Sequence, residues 1–97
     1  PVPGFQVPYA ERVRQDAGML TMAVGYITEA DQAEAILQEG RADLIALARE
    51  LLYNPFWALH AAQALGADPD FEMWPEQYGW YLTRRAASMR LPREGAE

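Results

Sequence analysis

Two short apolar runs constrain the fold of this chain more than any other feature of its sequence. Met19–Ile27 (MLTMAVGYI) and Ala42–Leu47 (ADLIAL) have the length of strands, and neither alternates apolar with polar residues. Such runs are typical of parallel strands that are covered on both faces. Residues 28–41 separate them, and a parallel connection needs a dozen or more residues, usually a helix. The sequence therefore predicts two adjacent parallel strands, at 19–27 and 42–47, joined by a crossover helix.

Helices are predicted around these strands from apolar spacing and from residues that favour helix ends. Apolar residues four apart precede Gly18, which is a natural C-terminal stop. Thr28 and Asp31 form a variant of the capping box at the start of the crossover helix. Asn54-Pro55 is a cap followed by proline in the first turn of another helix. The predicted helices span 8–17, 29–39, 55–65 and 76–89, with one short helical turn at 49–52.

Composition and charge exclude several classes of function. The net charge is −6, and a chain this acidic lacks the positive face that nucleic-acid binding requires. No apolar run approaches the roughly 20 residues of a membrane span, and residues 1–97 contain no basic-then-apolar leader that would predict a secretory signal. Cysteine is absent, which excludes disulfides, thiolate metal sites and cysteine nucleophiles in these residues. It also fits a reducing compartment, so we expect a cytoplasmic protein without a metal site.

The chain is short for the fold that its strands predict. Two parallel strands that are apolar on both faces need neighbours at both edges and helices on both sides, and a (β/α)₈ TIM barrel takes about 250 residues. We therefore interpret the chain as the C-terminal part of a larger α/β protein. Residues 1–66 would hold two strand–helix units, and residues 67–97 would form a tail with an aromatic segment and a helix.

The ends of the two predicted strands are the best candidates for a binding site. Gly25 follows the first strand, and Ala48 and Arg49 follow the second. In barrels of this kind the loops after the last two strands often bind a phosphate, and free backbone N–H groups with an arginine favour a dianion. The alternative is that Gly25 is a packing residue and Arg49 a surface salt-bridge partner. Spacing alone leaves both interpretations open.

Several short blocks, in this order, resemble the C-terminal quarter of the old yellow enzyme family. They are GFQVPYAE at 4–11, AVGYIT at 23–28, QAEAIL at 32–37, GRADLI at 40–45, ARELL at 48–52 and NPF at 54–56. The resemblance covers about residues 1–66 without an obvious gap, and residues 74–80 more loosely. It is closest to the bacterial NADPH dehydrogenase and ene-reductase branch of that family.

The resemblance implies an FMN-containing TIM barrel, of which the chain holds the last two strand–helix units. In the family, backbone amides after the seventh and eighth strands bind the FMN phosphate, and the matching positions are Gly25, Ala48 and Arg49. Family members usually have glycine where this chain has Ala48, so we expect that loop to bind phosphate only if Ala48 has a negative φ. The implied reaction passes hydride from NADPH or NADH to the flavin, and then to the β-carbon of an activated alkene. Its acid and its substrate-holding histidines belong to earlier strands, so we assign no catalytic residue here and interpret His60 as a surface or packing residue.

The aromatic tail matches a second feature of the same branch. In that branch the C-terminal tail of one subunit reaches the active site of its neighbour, with an arginine or a tryptophan after a Gln-Tyr pair. The matching residue here is Trp80, which the resemblance implies is a substrate-binding residue in a homo-oligomer. The alternative is that Trp80 and Tyr81 pack the tail on the barrel.

Two functions remain open from the sequence. The first is an FMN-phosphate-binding C-terminal portion of an NAD(P)H-dependent ene reductase, inactive without the rest of the barrel as its partner. The second is a catalytically dead remnant that acts only by associating with a partner chain through its strand edges and tail. Another phosphate-binding barrel is a third, weaker interpretation.

Overall fold

The computed structural model describes residues 2–90, which form two compact units. One unit extends to Trp57 and the other begins at Ala58. The helices and strands are α1 (Val7–Ala17), β1 (Met22–Ala23), α2 (Ala30–Gln38), β2 (Leu44–Ile45), α3 (Arg49–Tyr53), α4 (Trp57–Ala64) and α5 (Glu76–Arg90). The predicted helices are thus present, with ends shifted by one or two residues. The division of the sequence at 66/67, which follows the strand–helix repeat, stays a prediction.

The two strands are adjacent and parallel, as their apolar character predicts. Met22 pairs with Leu44 and Ala23 with Ile45, and the Ala46 N–H donates to the Ala23 carbonyl at 2.8 Å. The strands are much shorter than the predicted 19–27 and 42–47. A strand extends only as far as its ladder of hydrogen bonds, and β1 has a single neighbour in residues 2–90. A turn with positive φ at Gly25 then ends β1 on its C-terminal side.

The core of the first unit lies on one side of this small sheet. It consists of Val7, Ala23, Ile27, Ala33, Ile36 and Ala42, with Ile45, Leu47 and Trp57 packed against it. Trp57 also donates its indole N–H to the Thr28 carbonyl at 2.7 Å, which joins this last residue of the first unit to the segment before α2. The helices α1 and α2 therefore cover one face of the sheet.

The opposite face of the sheet is not covered within residues 2–90. Met22, Val24 and Leu44 lie there with 54%, 46% and 59% of their surface exposed. This differs from the prediction of strands buried on both faces. The difference arises because the chain supplies helices for one side only.

The start of α2 differs from the predicted cap. The sequence predicts Thr28 and Asp31 as the pair, whereas the structure uses Glu29 as the N-cap and Gln32 as its partner. The Gln32 carboxamide oxygen accepts the N–H groups of Thr28 and Glu29 at 3.1 and 3.3 Å. Asp31 instead accepts the N–H of its neighbour Gln32 at 2.9 Å. A longer side chain at the third helical position reaches back to the free N–H groups, which Asp31 does not reach.

The second unit is organised by Asp68 and by stacked aromatic rings. The buried Asp68 carboxylate accepts the N–H groups of Glu72 and Met73 at 2.8 and 3.1 Å, which closes the turn before α5. The Trp74 ring meets the His60 ring edge-on at 5.2 Å and stacks with the Tyr78 ring at 6.1 Å. His60 therefore has the packing role that its sequence context predicts.

No helix in the described part of the chain is long and apolar enough to cross a membrane.

Candidate functional site

The two loops that carry the predicted site leave the sheet at the same edge. Because β1 and β2 are parallel and in register, their C-terminal ends lie side by side. Gly25 follows β1 by two residues, and Ala48 follows β2 by three. Parallel pairing therefore brings the two predicted anion-binding segments to one end of the sheet, where ligands of open and closed α/β sheets bind.

The backbone turns sharply after β1. Gly25 has a φ of 116° and Tyr26 a φ of 52°, and positive φ is uncommon for a tyrosine. Such a conformation costs on the order of 1–3 kcal/mol and persists only where the surrounding structure holds it. The turn takes the Gly25 N–H out of the ladder with β2, and within residues 2–90 this N–H donates to no other atom. A free N–H at a strand end is available to an external acceptor.

Gly25 also has no room for a side chain. A Cβ at this position would lie 3.0 Å from the Gln6 Cβ and 3.1 Å from its carboxamide oxygen. Positive φ and close contact therefore both require glycine here. The close contact with Gln6 supports the interpretation of Gly25 as a packing residue. This packing is compatible with anion binding, because glycine has no side chain that would block the approach of an anion to the backbone.

The turn is held by two donors to the Tyr26 carbonyl. The Gly4 N–H lies 3.0 Å from this oxygen, and the Gln32 carboxamide nitrogen lies 3.3 Å from it. The carboxamide oxygen of Gln32 binds the start of α2 at the same time. The apolar pattern of the sequence does not single out Gln32. Its spacing of three residues from Glu29, the N-cap residue, is the signal that would have identified it.

The second loop satisfies the condition that the sequence sets for it. Ala48 has a φ of −128°, so alanine stands here without the strain that a positive φ would bring. Arg49 begins α3 and is exposed. Within the described residues its guanidinium forms no ion pair or hydrogen bond, so the salt bridge considered as its alternative role is not formed there. Among residues 2–90, Arg49 therefore offers a positive charge without an ionic partner at the same sheet edge as Gly25.

A separate group of charges lies at the opposite ends of the strands. The Arg14 guanidinium is 3.2 Å from both carboxylate oxygens of Asp43, and it also donates to the Gly40 carbonyl at 2.8 Å. Asp43 accepts the Thr21 N–H at 2.9 Å. The Thr21 N–H, and then Arg14, lower the pKa of the Asp43 carboxyl below its ordinary 3.8, although desolvation acts against them. This group joins α1 to both strands and lies away from the candidate site.

Trp80 lies on α5 in the second unit. It is 60% exposed, and Tyr81 beside it is 58% exposed, so neither ring is packed within the described chain. The Arg84 guanidinium lies 3.9 Å from the centre of the Trp80 ring and donates to the Trp80 carbonyl at 2.8 Å. The resemblance places a tryptophan at this position, where other members of the branch have an arginine. The structure supplies one from the next helical turn, at the i, i+4 spacing that brings two helical side chains together.

The chain matches several curated NADPH dehydrogenases over part of its length. An NADPH dehydrogenase from Geobacillus sp. (strain WCH70) is 59% identical over 64 residues, which are 66% of this chain and 19% of that protein. The NADPH dehydrogenases of Geobacillus thermodenitrificans and Bacillus subtilis are 52% and 51% identical over 80 residues, which are 80% of this chain and 23% of each. The chain thus spans about a fifth of the length of these relatives.

The family match covers more than half of the chain. Residues 3–68 fit the family model of the NADH:flavin oxidoreductase / NADH oxidase family. This segment includes α1, β1, α2, β2 and both loops of the candidate site. The NADPH dehydrogenases that are 50% or more identical over part of the chain agree with the assignment. The chain therefore belongs to the NADH:flavin oxidoreductase / NADH oxidase family.

Proposed function

We propose that residues 1–66 are the FMN-phosphate-binding C-terminal portion of an NAD(P)H-dependent flavin oxidoreductase of the ene-reductase type. The family match and the NADPH dehydrogenase names of the relatives support the redox class. The resemblance to old yellow enzymes supports FMN and an activated alkene as the small-molecule substrate. The cytoplasmic location stays a prediction from the sequence.

The observation that carries the proposal is the pair of loops at one sheet edge. One loop presents Gly25 in a turn that excludes side chains, and its N–H has no acceptor in residues 2–90. The other loop presents Ala48 at negative φ, followed by Arg49, whose guanidinium has no partner in the same residues. Backbone N–H groups combined with a guanidinium suit a phosphate dianion, because both donate hydrogen bonds and the arginine also neutralises charge. The residues present therefore fit the phosphate end of FMN.

The role of this chain in the reaction is binding and orientation. The chemistry that bound FMN supplies is hydride acceptance from NAD(P)H and hydride delivery to the β-carbon of the alkene. Gly25, Ala48 and Arg49 would anchor the phosphate, which fixes the position of the rest of the cofactor. No residue of this chain is assigned to proton transfer. The isolated chain is therefore expected to be inactive.

The remainder of the barrel is the proposed partner of these residues. The exposed Met22, Val24 and Leu44 form an apolar face on the side of the sheet opposite to the helices. In a (β/α)₈ barrel this side of each strand faces the packed interior. The relatives are about five times longer than the matched segment, which is enough for the six missing strand–helix units. Covering this face with those strands would remove its apolar surface from water.

Trp80 is the proposed contribution of the tail. Its ring is exposed and carries Arg84 on one face, so a flat apolar surface and a cation lie together on α5. This combination suits the carbonyl-bearing, flat substrates that ene reductases take. We propose that Trp80 contacts the alkene in the active site of a neighbouring subunit of a homo-oligomer.

A chimera tests the proposal. In the chimera, this chain replaces the C-terminal segment of the Geobacillus thermodenitrificans NADPH dehydrogenase that includes their matched region, over which the two are 52% identical for 80 residues. We expect the chimera to bind FMN and to oxidise NADPH when an activated alkene is added, as followed by absorbance. The 97-residue chain alone, with FMN added, should oxidise NADPH no faster than free FMN does.

The two results separate the proposal from its alternative. A folded chimera that fails to bind FMN would indicate a dead remnant that retains the fold only. NADPH oxidation by the isolated chain above the free-flavin rate would show that the active site does not need the missing strands, which contradicts the proposal.

A further inference from the structure

We propose that Gln32 is a positioning residue for the phosphate-binding loop, because its carboxamide holds the Tyr26 carbonyl and so keeps the Gly25 N–H free for the anion. The inference rests on the proposed function and adds a residue outside the two loops. Gln32 does not touch the ligand in this account. It acts through the conformation of the turn.

The contacts of Gln32 span the whole turn. Its carboxamide nitrogen donates to the Tyr26 carbonyl at 3.3 Å. Its carboxamide oxygen accepts the N–H groups of Thr28 and Glu29 at 3.1 and 3.3 Å. The partners of the carboxamide are one acceptor and two donors, and this pattern also fixes which end of the amide is oxygen. One side chain thus connects the turn after β1 to the first turn of α2.

The conformation of Tyr26 needs such a connection. A residue with a side chain at a φ of 52° returns to negative φ unless neighbouring groups hold it. Tyr26 is 54% exposed, so packing of this residue does not supply the restraint. The donors to its carbonyl, from Gly4 and Gln32, are the restraints in the described chain. If Tyr26 relaxed, the peptide between residues 25 and 26, which carries the Gly25 carbonyl and the Tyr26 N–H, would rotate. The turn that takes the Gly25 N–H out of the ladder with β2 would then change its conformation.

The two ends of the Gln32 amide have separable functions. Its oxygen satisfies free N–H groups at the start of α2, which is an ordinary capping role. Its nitrogen contributes nothing to that cap, because it donates to a carbonyl that precedes the helix. Glu at this position keeps the accepting oxygens and loses the donor. Gln32→Glu therefore removes the proposed positioning bond and leaves the helix cap in place.

The experiment compares two flavins in the chimera. FMN and riboflavin differ by the phosphate alone, so their ratio of dissociation constants reports on the phosphate loop. For Gln32→Glu we expect FMN to bind roughly 2- to 10-fold more weakly, the effect of one lost neutral hydrogen bond, with riboflavin unchanged.

Gln32→Met keeps the side-chain length without charge, and it should also weaken FMN selectively. Selective weakening of FMN in Gln32→Met would exclude repulsion between the carboxylate of Gln32→Glu and the phosphate as the cause, because methionine carries no charge. Gln38→Glu, at the exposed end of α2, is the matched control and should leave the ratio unchanged.

The outcomes distinguish this inference from the proposed function. A ratio that is unchanged in both Gln32 variants, or equal weakening of both flavins, would overturn the positioning role and leave Gln32 a helix cap. Gly25→Val serves as the reference: if it reduces the preference for FMN and the Gln32 variants do not, only the role of Gln32 fails. If Gly25→Val also leaves the preference unchanged, the phosphate site itself is wrong.

Discussion

The Arg14 guanidinium binds the Asp43 carboxylate, and the Arg14 Nε lies 3.2 Å from each of the two carboxylate oxygens. The two residues lie 29 positions apart in the sequence, on α1 and at the start of β2, and Asp43 also accepts the Thr21 N–H just before β1. This pair therefore fastens a helix to both strands at the ends away from the candidate site. The structure thus separates a stabilising edge of the sheet from a binding edge.

The contribution of the Arg14–Asp43 ion pair to the stability of the fold should decrease in acid, below about pH 3.8. The pKa of folded Asp43 is lowered from 3.8 by the Thr21 N–H and by Arg14. Its ionised form therefore stabilises the fold above pH 3.8, and this contribution is lost as the pH falls through the lower, folded pKa.

Asp43→Asn in the chimera should reduce the unfolding midpoint at pH 7. The gap between the midpoints of the variant and the parent should narrow below about pH 3.8. Denaturant unfolding at several pH values measures this gap. A gap that is unchanged down to pH 3 would contradict the assignment. Asp16→Asn removes an exposed partner of Arg12 and should have a smaller effect at pH 7.

Replacement of Gly79 by alanine should destabilise the protein, although Gly79 lies inside helix α5. Alanine in place of a helical glycine normally adds about 0.5–1 kcal/mol of stability. Here a Cβ would lie 2.9 Å from the Phe71 carbonyl oxygen, so the backbone before α5 would have to move. Overpacking of this kind costs about 1–3 kcal/mol, and we expect a net loss of about 1–2 kcal/mol. The free energy of unfolding in denaturant decides the sign. Ser88→Ala, at an exposed position of the same helix, should be neutral or slightly stabilising, and a stabilising Gly79→Ala would show that α5 does not approach residue 71 so closely.

Replacement of Trp80 should weaken the binding of the alkene substrate and leave the binding of FMN unchanged. If its ring contacts the alkene, Trp80→Ala in the chimera should raise the KM for the alkene roughly 2- to 10-fold, the effect of one aromatic contact. The dissociation constant of FMN should stay the same, because Trp80 belongs to the tail and not to the phosphate loops. Steady-state kinetics with a fixed NADPH concentration provides the KM. Met89→Ala, another exposed residue of α5, should leave the KM unaltered. An unchanged KM in Trp80→Ala would remove Trp80 from the substrate site.

The sequence predicts the parallel pairing and the helices because both depend on patterns that are local or nearly so. The apolar runs around Ala23 and Ile45, the crossover length and the stop at Gly18 suffice for them. Strand lengths are predicted poorly, since Met19 and Leu20 have no partner strand within the described chain and stay exposed. Predictions that fall on residues 91–97 lie outside the described residues.

The candidate site was predicted in outline and not in its supporting contacts. Gly25 and Arg49 stand out because they follow two buried runs. The contacts of Gln32 with Tyr26 and of Arg84 with Trp80 depend on side-chain reach after the backbone has folded, which spacing alone does not specify. The negative φ of Ala48 is likewise a property of the folded loop, since alanine is compatible with many conformations.

The dissociation constant of FMN in the chimera tests the central claim most directly, when it is measured for Arg49→Ala and Gly25→Val beside the parent. Arg49→Ala removes a charge-assisted hydrogen bond, worth about 1.5–3 kcal/mol, and should weaken FMN roughly 10- to 150-fold. Gly25→Val should weaken FMN at least as much, because a β-branched residue meets Gln6 and resists a φ of 116°. Arg85→Ala, an exposed arginine on α5, should have no effect, and thermal unfolding should show that each variant is folded. Unchanged FMN affinity in both site variants would contradict the account, because the phosphate would then bind elsewhere.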